Sequence, residues 1–269
     1  MKRGDWLRPF ALLWKADDVS EGISRLAVIG LGLIGSSIAR AAKEQLGLYV
    51  AGYDASEAAR VESRELGFCD VVADDAAAAV QDADLVILAV PVGRMADAAQ
   101  AIAAGLKADA IISDVGSSKA SVLQVLREAL PNHRLVPAHP VAGTENSGPS
   151  AGFASLFRQR WCIITPEERG CPLALETVTS FWKELGAKVE IMDAPHHDMV
   201  LAVTSHLPHL IAYTIVGTAS ELEEVTESEV IKYSAGGFRD FTRIAASDPV
   251  MWRDIFLNNK DAVDRKSVV

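Results

Sequence analysis

Cysteine is scarce in this chain, with Cys69, Cys162 and Cys171 only and no C-x-x-C spacing among them. An odd, widely spaced set indicates neither a disulfide framework nor a zinc knuckle, and it fits a reducing cytoplasm. Positive charge is short as well: 26 Lys and Arg face 36 Asp and Glu, for a net charge of −10. That balance argues against a general nucleic-acid or anionic-membrane binder. An anionic ligand must then be met locally, by arginines and helix N-termini. No stretch reads as a transmembrane span or a signal peptide. The start, MKRGDWLRPFALLWKADD, holds basic residues and an apolar PFALLW patch too short for a signal core, with no small-residue cleavage site after it. Residues 1–22 are expected to be an extension outside the fold. Internal repeats and low-complexity linkers are also missing. What is left is an ordinary globular composition of 269 residues, 49% hydrophobic and 23% charged, enough for one large domain or two small ones.

From Arg25 the pattern becomes regular. RLAVIG is a short apolar run ending in Gly, LIGSSIARAAKEQL has helical spacing, LYVAGYD is a second strand, and SEAARVESRELG is a helix closed by Gly. DVVADD, an Ala-rich helix, DLVILAVP, VGRMADAAQAIAAGL, AIISDVG and SKASVLQVLREAL continue the alternation. Continuous apolar strands alternating with helices predict a doubly wound, Rossmann-like α/β sheet with parallel strands. The sheet is expected to continue through RLVPAHPVAG, WCIITP and AKVEIM, with a helix from about Pro172 to Leu185. After Met192 the strand runs stop. Residues 23–193 are therefore expected to form a nucleotide-binding domain and 194–269 an all-helical one. The stretch Leu201–Ile215 is apolar nearly all round, which predicts burial in a homodimer core.

Gly30-Leu31-Gly32-Leu33-Ile34-Gly35 is a G-x-G-x-x-G between a strand and a helix. The string alone is weak, but that context makes it a dinucleotide fingerprint. Gly30 permits the turn, Gly32 lets the backbone approach a pyrophosphate, and Gly35 allows close helix–strand packing, while the helix N-terminus at Leu33 and Ile34 holds phosphate. Asp54 ends the second strand, 24 residues after Gly30. An acid there accepts from the ribose 2′-hydroxyl and repels a 2′-phosphate, so NAD is expected over NADP. Pro91 follows DLVILAV at the carboxyl edge where ligands of open sheets lie.

Four further clusters sit at strand ends or in the helical region: Asp114-Val115-Gly116-Ser117-Ser118-Lys119, His139-Pro140-Val141-Ala142-Gly143-Thr144-Glu145, Ser205-His206-Leu207-Pro208-His209, and Gly237-Phe238-Arg239-Asp240-Phe241-Thr242-Arg243. Together with GLGLIG they closely resemble the prephenate/arogenate (cyclohexadienyl) dehydrogenase family of tyrosine biosynthesis. The resemblance runs from about Arg25 to about Val263. It implies oxidative decarboxylation of a cyclohexadiene: hydride leaves the ring carbon bearing the 4-hydroxyl, and the opposite carboxylate departs as CO2. It also implies His139 as the catalytic histidine, accepting the hydroxyl proton, and Ser117 as the residue orienting hydroxyl and imidazole. Arg243 is implied to hold a substrate carboxylate, with Arg239 sharing its helix face. Ser205, His206 and His209 would line the cleft, and Glu145 would lie near its mouth. His206 and His209 lack a third ligand, so no metal is expected. His133, His196 and His197 have no motif around them and read as surface or packing residues.

DAVDRKSVV departs from the family, whose members usually continue with a further helix, so the helical edge is expected to be short or altered there. Two other readings remain open. A β-hydroxyacid-type dehydrogenase would need a catalytic lysine on a helix of the second domain, for which Lys232 is a motif-free candidate. A non-enzymatic NAD-binding protein would not need Ser117, His139 and Arg243 to converge.

Overall fold

The computed structural model describes residues 22–144, 146–168, 170–226 and 236–267. Six parallel strands form the main sheet in the order β3-β2-β1-β4-β5-β6: β1 Arg25–Ile29, β2 Tyr49–Tyr53, β3 Val71–Val72, β4 Leu85–Leu88, β5 Ile111–Asp114 and β6 Arg134–Leu135. The apolar runs are continuous because each strand is buried on both faces. Leu26, Val28, Leu85 and Ile87 enter one core with α1 (Leu33–Leu46) and α6 (Pro172–Glu184). Ala27, Ile29, Val86 and Leu88 enter the other, with α3 (Ala76–Val80), α4 (Met95–Ile102) and α5 (Ala120–Ala129). Each fully buried Leu or Ile contributes about 1.5–3 kcal/mol, so a shift of one residue in register would cost several such terms.

Helix ends follow local chemistry. Ser56 caps α2 (Glu57–Leu66) by accepting the Ala59 N–H, and Gly47 and Gly67 close α1 and α2 in the left-handed conformation at φ +66° and +67°. The strand order reverses between β1 and β4. Their carboxyl ends therefore open a crevice, with the glycine loop on one side and Pro91 on the other.

The sheet does not continue as the apolar pattern suggested. Only β6 joins it; β7 (Ala138–Pro140), β8 (Trp161–Ile164) and β9 (Lys188–Ile191) make a separate sheet, with β7 antiparallel to β8 and β9 parallel to it. Pro137 is the reason. The Val136 N–H still bonds to the Ile112 carbonyl, but Pro137 has no N–H to offer β5, and its own carbonyl accepts from Thr165 beside β8. The second sheet packs through Cys162, Ile164, Phe157 and Trp182 onto the α1–α6 side of the core.

Asp193 caps α7 (Ala194–Leu201), its side chain accepting the His196 N–H. The helix runs on through a π turn, Ala202–His206, into α8 (Leu207–Thr226). Pro208 accounts for the wider turn, because it has no N–H for the Thr204 carbonyl and its ring would clash there. Among the described residues three helices follow: α9 (Gly236–Ala245), α10 (Pro249–Asn258), capped by Asp248, and α11 (Lys260–Ser267). By length and composition the helix Ala194–Glu221 could cross a membrane. It buries His197, Asp198 and His206, however, while Met199, Val203 and Ile211 stay exposed.

Candidate active site

The nucleotide loop is shaped by backbone contact at two glycines and by open space at the third. Gly30 has φ +96°, and a Cβ there would meet the Ala89 carbonyl oxygen at 2.4 Å. A Cβ on Gly35 would sit 1.8 Å from the Gly30 carbonyl oxygen, whereas one on Gly32 would meet nothing within 4 Å. Gly32 is thus not required by the protein's own packing, and the space beside it suits a pyrophosphate. Helix α1 begins there with no side-chain cap and no acidic residue in its first turn, so its N–H groups and dipole are available to an anion. Asp54 faces this loop. One carboxylate oxygen accepts the Leu31 N–H and the other the Ser56 N–H, both at 2.8 Å, fixing its side chain at the end of β2. Each oxygen keeps a second lone pair for a ribose hydroxyl. The residues present therefore fit a dinucleotide.

A contrast follows from these contacts. Gly35→Ala is expected to unfold the chain or lower its melting temperature by more than about 10 °C, since a backbone overlap of this kind cannot relax by rotamer change. Gly32→Ala is expected to leave melting within about 2 °C and to weaken NAD binding about tenfold or more. Calorimetry with and without NAD separates the two. Equal melting of both variants would contradict the reading.

Near the ends of β5 and β7 a buried polar network gathers. His139, on β7, is 8% exposed, and its Nδ1 lies 2.9 Å from His197 Nε2. His197 is fully buried, and its Nδ1 lies 2.8 Å from Asp198 Oδ1. Of the two readings of His197, surface or packing, burial excludes the first: the start of α7 carries it inward against β7, where it also joins a hydrogen-bond chain. Asp198 also accepts the Lys119 and Ala120 N–H groups at 2.7 and 2.9 Å, capping α5 from another element. The side chain of Lys119, fully buried, donates to Asp114 and to the Ala138 carbonyl next to His139. Asn259 donates to the Asp198 carbonyl and approaches His206 Nδ1 at 3.0 Å.

Burial sets the charge states. It holds His139 well below the ordinary histidine value, helped by His197, Lys119 and His206. His197 is lowered by burial, with Asp198 opposing. Burial lowers His206 to about 4, Asp198 and the Ser117 backbone opposing. All three rings are therefore neutral near pH 7, and a neutral imidazole can accept a proton.

The other expected residues divide into two groups. Ser117 is half-buried in the β5–α5 turn, with its backbone beside His206; Lys119 rather than Ser117 stands at the start of α5, with no side-chain cap. Ser205 lies in the π turn and its carbonyl accepts from His209 Nδ1, while the His209 ring stacks on Trp252 at 3.6 Å and 16°. Burial lowers His209 as well. Arg239 and Arg243 do share α9, but both are exposed, and Arg243 Nε lies 4.0 Å from Asp240 Oδ1. Among the described residues no hydrogen bond or ion pair joins either arginine to the His139 network. Glu145 and Lys232 lie outside the described residues. No group of three or more His, Cys, Asp or Glu among the described residues is placed to hold a metal.

Residues 38–191 match the model of the prephenate dehydrogenase nucleotide-binding domain, and residues 193–267 that of the prephenate dehydrogenase dimerization domain. The chain belongs to the prephenate dehydrogenase family. As a prephenate dehydrogenase family member it is an NAD-dependent oxidoreductase with a Rossmann-like domain and a helical C-terminal domain. It is 50% identical to the cyclohexadienyl dehydrogenase of Zymomonas mobilis over 239 residues, 88% of this chain and 82% of that protein. It is 37% identical to the prephenate dehydrogenase of Bacillus subtilis, spanning 88% of this chain but 65% of that longer one. Its fold superposes on prephenate dehydrogenase from A. aeolicus, solved with hydroxyphenyl propionate and NAD+, with a TM-score of 0.85 and 34% identity over 92% of this chain and 86% of that one.

Proposed function

We propose that this chain carries out NAD-dependent oxidative decarboxylation of prephenate, and of arogenate where the pocket admits its amino group, as a step of tyrosine biosynthesis. The observation that carries the reading is a buried His139 held by a hydrogen-bond chain to His197 and Asp198, in a chain whose glycine loop fits a dinucleotide. NAD, when bound, supplies the hydride acceptor. His139 accepts the proton of the ring hydroxyl as that oxygen becomes a carbonyl, and Ser117 orients the hydroxyl. Loss of the opposite carboxylate as CO2 lets the ring electrons close into an aromatic phenol. Ser205, His206 and His209 wall the cleft from the π turn and the start of α8, and Arg243 holds a substrate carboxylate with Arg239 on the same helix. Residues 23–193 serve the nucleotide and residues 194–269 the substrate and the partner subunit, in a soluble cytoplasmic homodimer. NAD reduction, followed by the absorbance of the reduced cofactor, with prephenate, arogenate and β-hydroxy acids tests the reading. Turnover of a β-hydroxy acid with none of prephenate or arogenate would replace it.

Two results are expected from the same preparation. Arg243→Ala should raise the KM for prephenate about 10–100-fold, the scale of a charge-assisted bond of about 1.5–3 kcal/mol, with NAD affinity unchanged. A KM within about twofold of the parent would assign the carboxylate to another cation. Met199 on α7, Val203 in the π turn, Ile211 on α8 and Leu257 on α10 are exposed large apolar side chains, and a second copy would cover them. Light scattering at micromolar concentration should give a dimer mass; a monomer mass would contradict that use of the face.

A further inference from the structure

We propose that Asp198 and His197 act as positioning residues that fix the tautomer of His139, leaving its Nε2 as the unprotonated ring nitrogen. The inference rests on His139 being the base and adds what decides which of its nitrogens does the work. It follows from counting donors. Asp198 is held at the N-terminus of α5, where two backbone N–H groups point at its carboxylate. A carboxylate in that place only accepts, so His197 Nδ1 must carry the hydrogen in their 2.8 Å contact. A neutral His197 then has only a lone pair at Nε2. The 2.9 Å contact with His139 Nδ1 is a hydrogen bond only if His139 donates, so the His139 hydrogen resides on Nδ1.

The chain of contacts joins two parts of the fold. His139 lies on β7 and His197 on α7, 58 residues apart. Lys119 ties both, giving its backbone N–H to Asp198 and its ammonium to the Ala138 carbonyl. The ring edge opposite Nδ1 is therefore set in orientation and in protonation together. A purely structural histidine at position 197 would pack equally well in either tautomer.

Two measurements test this. In protein with 15N-labelled histidine, long-range 1H–15N spectra identify each ring, and the His139 set is the one lost in His139→Asn. The expected result is a protonated Nδ1 and a pyridine-like Nε2 for His139. The reverse assignment would overturn the inference. In kinetics, His197→Phe, which fills the space without an acceptor, should lower kcat about 10–100-fold with KM within about threefold, while His197→Gln, whose Oε1 can accept in place of Nε2, should recover to within about fivefold of the parent. A His197→Phe enzyme with parental kcat, alongside an inactive His139→Asn, would remove His197 from this role and leave His139 as the base. An active His139→Asn would remove the base itself.

Discussion

His139→Asn is expected to lower kcat by about 10²–10⁴, the usual scale for a general base, with NAD affinity unchanged. Asparagine fits the same space and offers no comparable basicity. The pH dependence sharpens the expectation. Burial, His197, Lys119 and His206 all push His139 downward, so its base form persists below the ordinary value of about 6.5. Activity that needs a neutral base is present above its pKa and lost as pH falls through it. For kcat/KM, which reports the free enzyme, the acid limb of the parent should therefore lie below pH of about 6.5. A bound anionic substrate favours the imidazolium, so the limb for kcat should lie higher than the limb for kcat/KM. Both limbs should vanish in His139→Asn. A variant that keeps the same acid limb would move the base elsewhere, with His209 the next candidate.

The second large effect concerns stability. Lys119→Met keeps most of the side-chain volume but leaves Asp114, fully buried, without its cation. Breaking one side of a buried pair costs about 3–5 kcal/mol, which for a chain of this size corresponds to a fall in melting temperature of about 10 °C. Burial raises the Asp114 pKa and lowers that of Lys119, with their mutual attraction opposing both shifts. Once alone, Asp114 should bind a proton more readily still. The variant should recover part of its stability as pH is lowered, because protonation removes the unpaired charge, until general acid denaturation takes over. Adding Asp114→Asn to Lys119→Met should likewise recover much of the loss. Activity should fall with the single change, since the same ammonium holds the Ala138 carbonyl beside His139. A melting temperature within about 2 °C of the parent would show that the pair is not a determinant of the fold.

The parts legible in the sequence are those governed by local pattern. Strands β1, β2, β4 and β5 were readable because burial on both faces makes their residues uniformly apolar. The glycine loop was readable because a turn, a close approach and a packing contact each require the same residue type at fixed spacing. Helix α9, with Arg239 and Arg243 on one face, followed from simple i, i+4 spacing. The break at Pro137 was present in RLVPAHP, yet the apolar run around it suggested one continuing sheet. His197 and Asp198 gave no local signal. Their partners, His139 and the backbone of Lys119, lie 58 and 79 residues away and meet them only when α7 docks against β7 and α5. Lys119 was visible within DVGSSK, but nothing in its neighbours indicates that it is fully buried. Asn259 likewise reaches Asp198 and His206 only through the packing of the helical domain. Sequence patterns therefore singled out the glycine loop and His139, and tertiary packing supplied the groups that contact His139 and His197.

The central claim, that hydride and CO2 leave the same substrate in one oxidation, is tested most directly with prephenate deuterated at the hydroxyl-bearing ring carbon. Incubated with this protein and NAD, it should give one CO2 for each cofactor reduced, with the deuterium carried into the reduced cofactor and 4-hydroxyphenylpyruvate as the organic product. Reduction of NAD without CO2, or deuterium recovered in water rather than in the cofactor, would contradict the account.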